Sequence, residues 1–275
     1  MTHEHIRTLL DSAQQSRTAL LAFNVVLLET AEALTAGAEA AQRPVVLQIS
    51  QNCVAYHGGL EPIGVAAISL ARQADVPVSV HLDHAQDTSL IQQAVSLGFD
   101  SVMYDGSRLD DESNRASTAE VVKFCQDSGV AVEAELGEIG GKDGVHSPTA
   151  RTDPQQAQQF VADTGVDSLA VAVGSSHAMD ERAATLDLEL VAHLEAAVPV
   201  PLVLHGSSGV PEAQLVGAVA AGMTKINIST HLNRLFTETV RAELLKSPTG
   251  VDPRKYVGAG RSVVADEAAR LLTMF

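Results

Sequence analysis

Eight short apolar runs, each followed by an amphipathic helical stretch, constrain this 275-residue chain more than any other feature of it. The runs read as strands at 19–26, 44–50, 77–84, 101–106, 131–137, 168–174, 201–206 and 225–230. Helical periodicity covers 28–42, 61–73, 88–97, 118–128, 154–163, 186–197, 211–221 and about 232–246. Gly98, Gly129, Gly165 and Gly222 stand where a chain leaves a helix through a left-handed turn. Eight such units without a linker predict an α/β fold in which one domain, 1–275, forms a single (β/α)8 TIM barrel. From Ser247 onward the rhythm breaks. That tail, with Asp252-Pro253-Arg254-Lys255-Tyr256, is expected to be a short C-terminal extension ending in another short helix.

A barrel interior is filled by side chains, so composition bears on the reading. Hydrophobic residues make up 45% of the chain but aromatics only 3%, with no Trp, which leaves Val, Ile, Leu and Ala to fill the core. That suits parallel strands buried on both faces. No apolar run approaches bilayer-spanning length, and the first seven residues lack the charged and apolar regions of a signal peptide. A cytoplasmic protein with no membrane partner is expected. Cys53 and Cys125 lie far apart without paired spacing and are expected to be reduced, buried thiols. The net charge of −16 argues against nucleic acid as a partner. A phosphate substrate would need local compensation from a metal, backbone N–H groups or a well-placed Arg.

The ionisable residues gather at one end of these strands. His81, Asp83 and His84 finish the third, Asp105 the fourth, and Glu133 and Glu135 lie on the fifth. His177 follows the sixth, His205 ends the seventh, and Asn227 and Thr230 end the eighth. In a barrel these are the catalytic ends, facing one mouth. Imidazoles at His84, His177 and His205 make an open metal site, with zinc the first expectation and Co, Mn or Fe as alternatives. Asp83 is expected to do acid–base work, provided the strand ends there so that it and His84 face the same way. Asp105 and Glu135 are read as carboxylates orienting the imidazoles or as ligands of an alternative metal position. His81 reads as structural. Gly206-Ser207-Ser208-Gly209, running into a helix at Pro211, and Asn227-Ile228-Ser229-Thr230 both offer N–H groups to a phosphate.

The chain resembles the class II, zinc-dependent ketose-bisphosphate aldolases, the fructose- and tagatose-bisphosphate aldolases, along nearly its whole length. The resemblance is carried by Ala22-Phe23-Asn24, Gln48-Ile49-Ser50, His81-Leu82-Asp83-His84, Asp105-Gly106-Ser107 and Glu133-Ala134-Glu135-Leu136-Gly137. It continues through Thr164-Gly165-Val166-Asp167, Leu202-Val203-Leu204-His205-Gly206, Lys225-Ile226-Asn227 and the Asp252–Tyr256 run. It implies Zn2+ on His84, His177 and His205, with Asp83 as the acid–base group and Asp105 and Glu135 near the metal. It further implies that Gly206, Ser207, Asn227 and Thr230 hold a phosphate, that Asn24 and Ser50 touch substrate, and that Na+ or K+ binds close to that phosphate.

Three departures from the family pattern stand out. Ala178-Met179-Asp180-Glu181-Arg182 replaces a Gly and the usual Tyr and Lys after the second zinc histidine. The loop 140–146 is short and lacks the Glu often invoked as a base, so Asp143 or His146, or Glu138 at its root, is expected to substitute. Ser229 stands where fructose-type members carry Asp and tagatose-type members Ala, which leaves the sugar open.

The implied activity is that of a lyase of carbohydrate metabolism such as glycolysis. It would reversibly cleave a fructose- or tagatose-1,6-bisphosphate-like ketose to dihydroxyacetone phosphate and an aldehyde. Alternatives are a ketose 1-phosphate aldolase, a zinc barrel hydrolase and a non-catalytic sugar-phosphate-binding relative. The hydrolase fits less well, because the first strand offers Ala22-Phe23-Asn24 rather than a His-x-His pair. A distal phosphate would call for Arg182, Arg254 or Arg261, the last two of which can approach a neighbouring subunit's site in this family. A homodimer or homotetramer is expected.

Overall fold

A computed structural model describes residues 6–136, 150–175 and 183–275. The chain runs α1 (Ile6–Ser16), β1 (Leu20–Asn24), α2 (Leu28–Ala41), β2 (Val45–Ser50), α3 (Gln51–His57), α4 (Glu61–Gln73), β3 (Val78–Ala85) and α5 (Thr88–Leu97). It continues with β4 (Ser101–Tyr104), α6 (Asp111–Asp127), β5 (Ala131–Glu135), α7 (Pro154–Thr164), β6 (Ser168–Ala170) and α8 (Leu188–Ala197). The last elements are β7 (Leu202–Leu204), a short 3-10 turn (Ser207–Gly209), α9 (Glu212–Ala221), β8 (Met223–Ile228), α10 (Thr230–Lys246) and α11 (Pro253–Leu272). The strands pair in chain order, all parallel, and β8 closes back on β1 with Leu20 opposite Lys225 and Phe23 opposite Ile228. This is the expected TIM barrel.

The strands form where apolar runs can be covered on both faces, by barrel interior and by helices, and nearly every strand residue is buried. Aspartates start many of the helices: Asp87, Asp110, Asp153, Asp187 and Asp252 each accept a backbone N–H of the first turn. Cys53 and Cys125 are buried and unbridged. Among the described residues no helix is long and apolar enough to cross a membrane.

Helix α1 closes one end of the barrel. Its Ile6, Leu9, Leu10 and Ala13 pack on Leu20, Val46 and Ala131, each the first or second residue of its strand. The Arg7 guanidinium clamps the helix to Asp167 with bonds of 2.6 and 3.0 Å. That leaves the carboxyl ends of the strands as the open mouth.

The C-terminal tail differs from the expectation. It is the 20-residue helix α11, not a short one, and it lies against α2 and α10. Within it, Gly260 is where Phe236 of α10 presses in, 2.8 Å from where a Cβ would stand. On the other side, Gly37 of α2 would bring a Cβ within 2.7 Å of the Ala265 carbonyl and 2.8 Å of the Ala268 Cβ. Helix α6 also begins earlier than the expected Thr118. Its first two turns carry Ala116 as their one apolar residue, so periodicity is blind to them. They are held by the Asp110 cap and an Arg115–Asp111 pair at 2.8 Å.

Candidate active site

The pairing of β3 with β4 contains one residue too many. Leu82 lies opposite Val102 and Ala85 opposite Tyr104, three steps along β3 against two along β4. The surplus is absorbed at His84, whose φ of +49° lies in the left-handed region that side chains seldom adopt. Asp83 and His84 would otherwise point to opposite faces, but here both line one cavity at the mouth. Asp105, just past β4, accepts a hydrogen bond from His84 Nδ1 (3.1 Å) and two from the Ser107 amide and hydroxyl (3.2 and 2.6 Å). These bonds hold the Asp105 carboxyl below the usual range despite its burial.

Strands β5, β7 and β8 build the opposite wall. Glu133 and Glu135, two apart, share the inward face of β5. Glu133 accepts from His205 Nε2 (2.9 Å) and from Lys225 Nζ (2.7 Å), a charge pair only 1–2% exposed. The ammonium and the imidazole hydrogen bond outweigh burial and keep Glu133 ionised. With Nε2 spent on Glu133, the His205 lone pair lies on Nδ1, which stands 4.0 Å from Glu135 Oε2. Likewise the Asp105 bond to Nδ1 of His84 leaves Nε2 for the site. His84, Glu135 and His205 bring ligand atoms within 4.8 Å of one another, and the two rings meet edge-on at 4.8 Å.

The charges in this cluster are set by its geometry. Burial lowers the pKa of His84, but Asp83, Asp105 and Glu135 outweigh it and raise the imidazole to about 9. Burial raises Glu135 to about 8 and depresses His205. A cation entering the cluster would therefore displace protons.

Asp83 sits at the junction. Its Oδ2 accepts from Asn24 Nδ2 (3.0 Å), and Asn24 Oδ1 in turn accepts from Gln48 Nε2 (2.7 Å). Asp83 Oδ1 is buried and, among the described residues, accepts no hydrogen bond. Burial alone would raise this carboxyl, yet His84, His205 and His81 hold it below the ordinary range. His81 lies deeper, its ring bonded to Ser101 Oγ (2.7 Å) and pushed by burial to about 3.

A cavity of about 280 Å3 runs from Asp83 and His84 to Gly206, Ser207, Ser208, Gly209, Asn227, Ser229 and Thr230. Ser208 Oγ accepts from the backbone N–H of Ser229 and of His231 (both 3.2 Å), locking the turn after β7 to the start of α10. Asn24 and Ser50 also line this cavity. Arg254 and Arg261 do not: they pair with Asp252 (2.9 Å) and Glu32 (2.8 Å). His177, Arg182, Asp143 and His146 lie outside the described residues. Sequence reasoning gave no role to Gln48, Glu133 or Lys225. A buried Lys and a buried Glu at inward positions of two apolar strands were the only signal, and their pairing spans the barrel.

The open mouth thus belongs to a barrel enzyme that handles a small anionic molecule beside a cluster of imidazoles and carboxylates. The family model described as class-II fructose-bisphosphate aldolase matches residues 4–275, and the chain belongs to that family. It is an aldolase, a lyase of carbon–carbon bonds. It is 35% identical over 263 residues to the fructose-bisphosphate aldolase of Geobacillus stearothermophilus, covering 94% of this chain and 92% of that one. The crystal structure of the YdjI aldolase from Escherichia coli K12 superposes with a TM-score of 0.87 at 34% identity, over 98% of this chain and 96% of the other. The fructose-bisphosphate aldolase of Campylobacter jejuni, 24% identical with a TM-score of 0.82 over 98% and 93% of the two chains, shares the fold.

Proposed function

We propose that this aldolase reversibly cleaves a phosphorylated ketose into dihydroxyacetone phosphate and an aldehyde, with a divalent metal at the mouth of the barrel. The donor set fits zinc: two imidazoles and a carboxylate within reach of one ion, each ring held through its second nitrogen by a carboxylate. His177 is the further ligand that the family pattern implies. When bound, the ion supplies Lewis acidity that draws electron density from the substrate carbonyl as the carbon–carbon bond breaks.

The rest falls to side chains of the protein. Asp83 Oδ1, buried, ionised and without a hydrogen-bond donor among the described residues, is the observation that carries the reading. It takes the proton of the hydroxyl on the carbon that becomes the aldehyde, and returns it in condensation. Asn24, steadied by Gln48, occupies the other oxygen, which leaves Oδ1 to take the proton. Gly206, Ser207, Asn227 and Thr230, with the first N–H groups of α10, cradle the phosphate, and Na+ or K+ beside it would offset its charge. Lys225 is committed to Glu133 and is the only lysine on a barrel strand among the described residues, so it offers no amine for a Schiff base.

A panel of ketose 1-phosphates and 1,6-bisphosphates, coupled to detection of dihydroxyacetone phosphate, tests this reading. Release from at least one member, abolished by chelation and restored by zinc, is expected. Zinc-loaded protein that releases none from any member overturns it.

A further inference from the structure

A second cavity, about 400 Å3, opens beside the first and shares Ser50, Asn52 and His84 with it. Its remaining lining is Gln51, Gln86, Asp105 and Arg108. Among the described residues, Arg108 is the one Arg or Lys lining either cavity. Its surroundings are built. Asp105 fixes Ser107, the Leu109 amide bonds back to the Gly106 carbonyl (2.9 Å), and Gly106 lies so close to buried Asn114 that a Cβ there would collide with its side-chain oxygen. Across the cavity, Gln51 Oε1 accepts the amides of Gln86 and Asp87 (2.8 and 3.3 Å), tying α3 to the turn after β3.

The Arg108 guanidinium is not spent on its neighbours. Asp105 is taken by His84 and Ser107, Asp110 by Ser113, and Asp111 by Arg115. Among the described residues Arg108 has no hydrogen-bond or ion-pair partner, whereas Arg7, Arg17, Arg115 and Arg270 all pair with carboxylates. In a chain of net charge −16, an exposed, unneutralised arginine lining a cavity beside the reacting centre is where a second anion can be held. A substrate with its phosphate at the turn after β7 and its reacting carbons at His84 and Asp83 has its other end directed here. The amides of Gln51, Asn52 and Gln86 can serve its hydroxyls.

We propose that Arg108 is a specificity-determining residue that receives an anionic group at the far end of the aldehyde half. This rests on the aldolase reading above. The anion is a phosphate or a carboxylate, both of which match the planar fork of guanidinium donors.

The test runs the reaction in condensation. Wild type, Arg108→Ala and Arg108→Lys are supplied with dihydroxyacetone phosphate and one of three aldehydes: glyceraldehyde 3-phosphate, 4-oxobutanoate or glyceraldehyde. Arg108→Ala should lower kcat/KM for an anion-terminated aldehyde by roughly 10–100-fold more than for glyceraldehyde, the scale of a lost hydrogen bond to a charged group. Arg108→Lys should recover part of that loss. A selective loss with only one of the two anionic aldehydes supports the inference and says which anion is read. Equal effects on all three aldehydes, or a wild type that accepts neither anionic one, overturn it. Exchange of the dihydroxyacetone phosphate C–H with deuterated water, followed by NMR on the wild type, needs no aldehyde and separates the two readings. Exchange present with no selectivity at Arg108 sinks this inference alone. Exchange and cleavage both absent sink the aldolase reading as well.

Discussion

At one side of the mouth, β3, β4, β5 and β7 crowd charges together: Asp83, His84, Asp105, Glu133, Glu135 and His205, with Lys225 beneath. At the other, the turn after β7 and the start of α10 line their part of the cavity with Gly, Ser, Asn and Thr alone. Both sides are expected to hold ions, and they differ in how. The charged side depends on partners, because an uncompensated buried charge costs several kcal/mol and each group there is held by another. The neutral side depends on oriented N–H dipoles, which attract an anion without adding a net charge that must be balanced when the site is empty. An acidic protein can thus bind phosphate without a lysine or arginine in the cradle, so long as the backbone is fixed. Ser208 does that fixing.

The contrast predicts large, proton- or metal-linked effects on one side and small, affinity-linked effects on the other. Asp83→Ala should keep its zinc and bind substrate yet lower kcat by roughly 10²–10⁴-fold, the usual loss for a general acid–base group. Single-turnover kinetics with zinc content measured alongside checks it, and near-normal turnover would pass the proton step to another residue. Glu133→Gln comes next. Its zinc affinity, read by competition with a chelator, should fall about 10–100-fold, as for other partners of metal-binding histidines. The same variant strands the Lys225 ammonium and should lose about 3–5 kcal/mol of stability in urea unfolding. Adding Lys225→Met should restore much of the stability but not the zinc affinity. If both return together, Glu133 serves packing rather than His205. Ser208→Ala should show the smallest effect, about a fivefold rise in KM for dihydroxyacetone phosphate in condensation, the size of its two lost hydrogen bonds at about 0.5 kcal/mol each. Loss of zinc from this variant would mean that the two sides are one coupled unit.

The barrel was legible because buried parallel strands read as largely apolar runs, repeated eight times in alternation with helices. Helix α1 carried its own signal in Ile6, Leu9, Leu10 and Ala13, at helical spacing, but stands outside the strand–helix alternation. The length of α11 was hidden by Gly258 and Gly260, of which Gly260 has its reason in the helix packed beside it rather than in a turn. In the site, Asp83, His84, Asp105 and His205 could be placed at the mouth because ionisable residues rarely end apolar strands without cause. Their partners were harder to see. Nothing local to Glu133 says that Lys225, 92 residues later, comes across the barrel to meet it. Arg108 carries no signal of its own in the sequence beside Asp105, Asp110 and Asp111, and only the commitments of those aspartates set it apart.

Along a regular strand adjacent side chains face opposite ways, and no exchange of one residue for another alters that. In β3 the extra residue at His84 does alter it, so an acid and an imidazole that are neighbours in sequence open onto the same cavity. Their meeting is a matter of chain length rather than residue identity. A lineage arriving at this arrangement from an unbroken strand had to gain a residue, a rarer kind of genetic step than replacing one. The loss of that residue would leave eight strands and every helix standing, with the carboxylate and the imidazole turned away from each other.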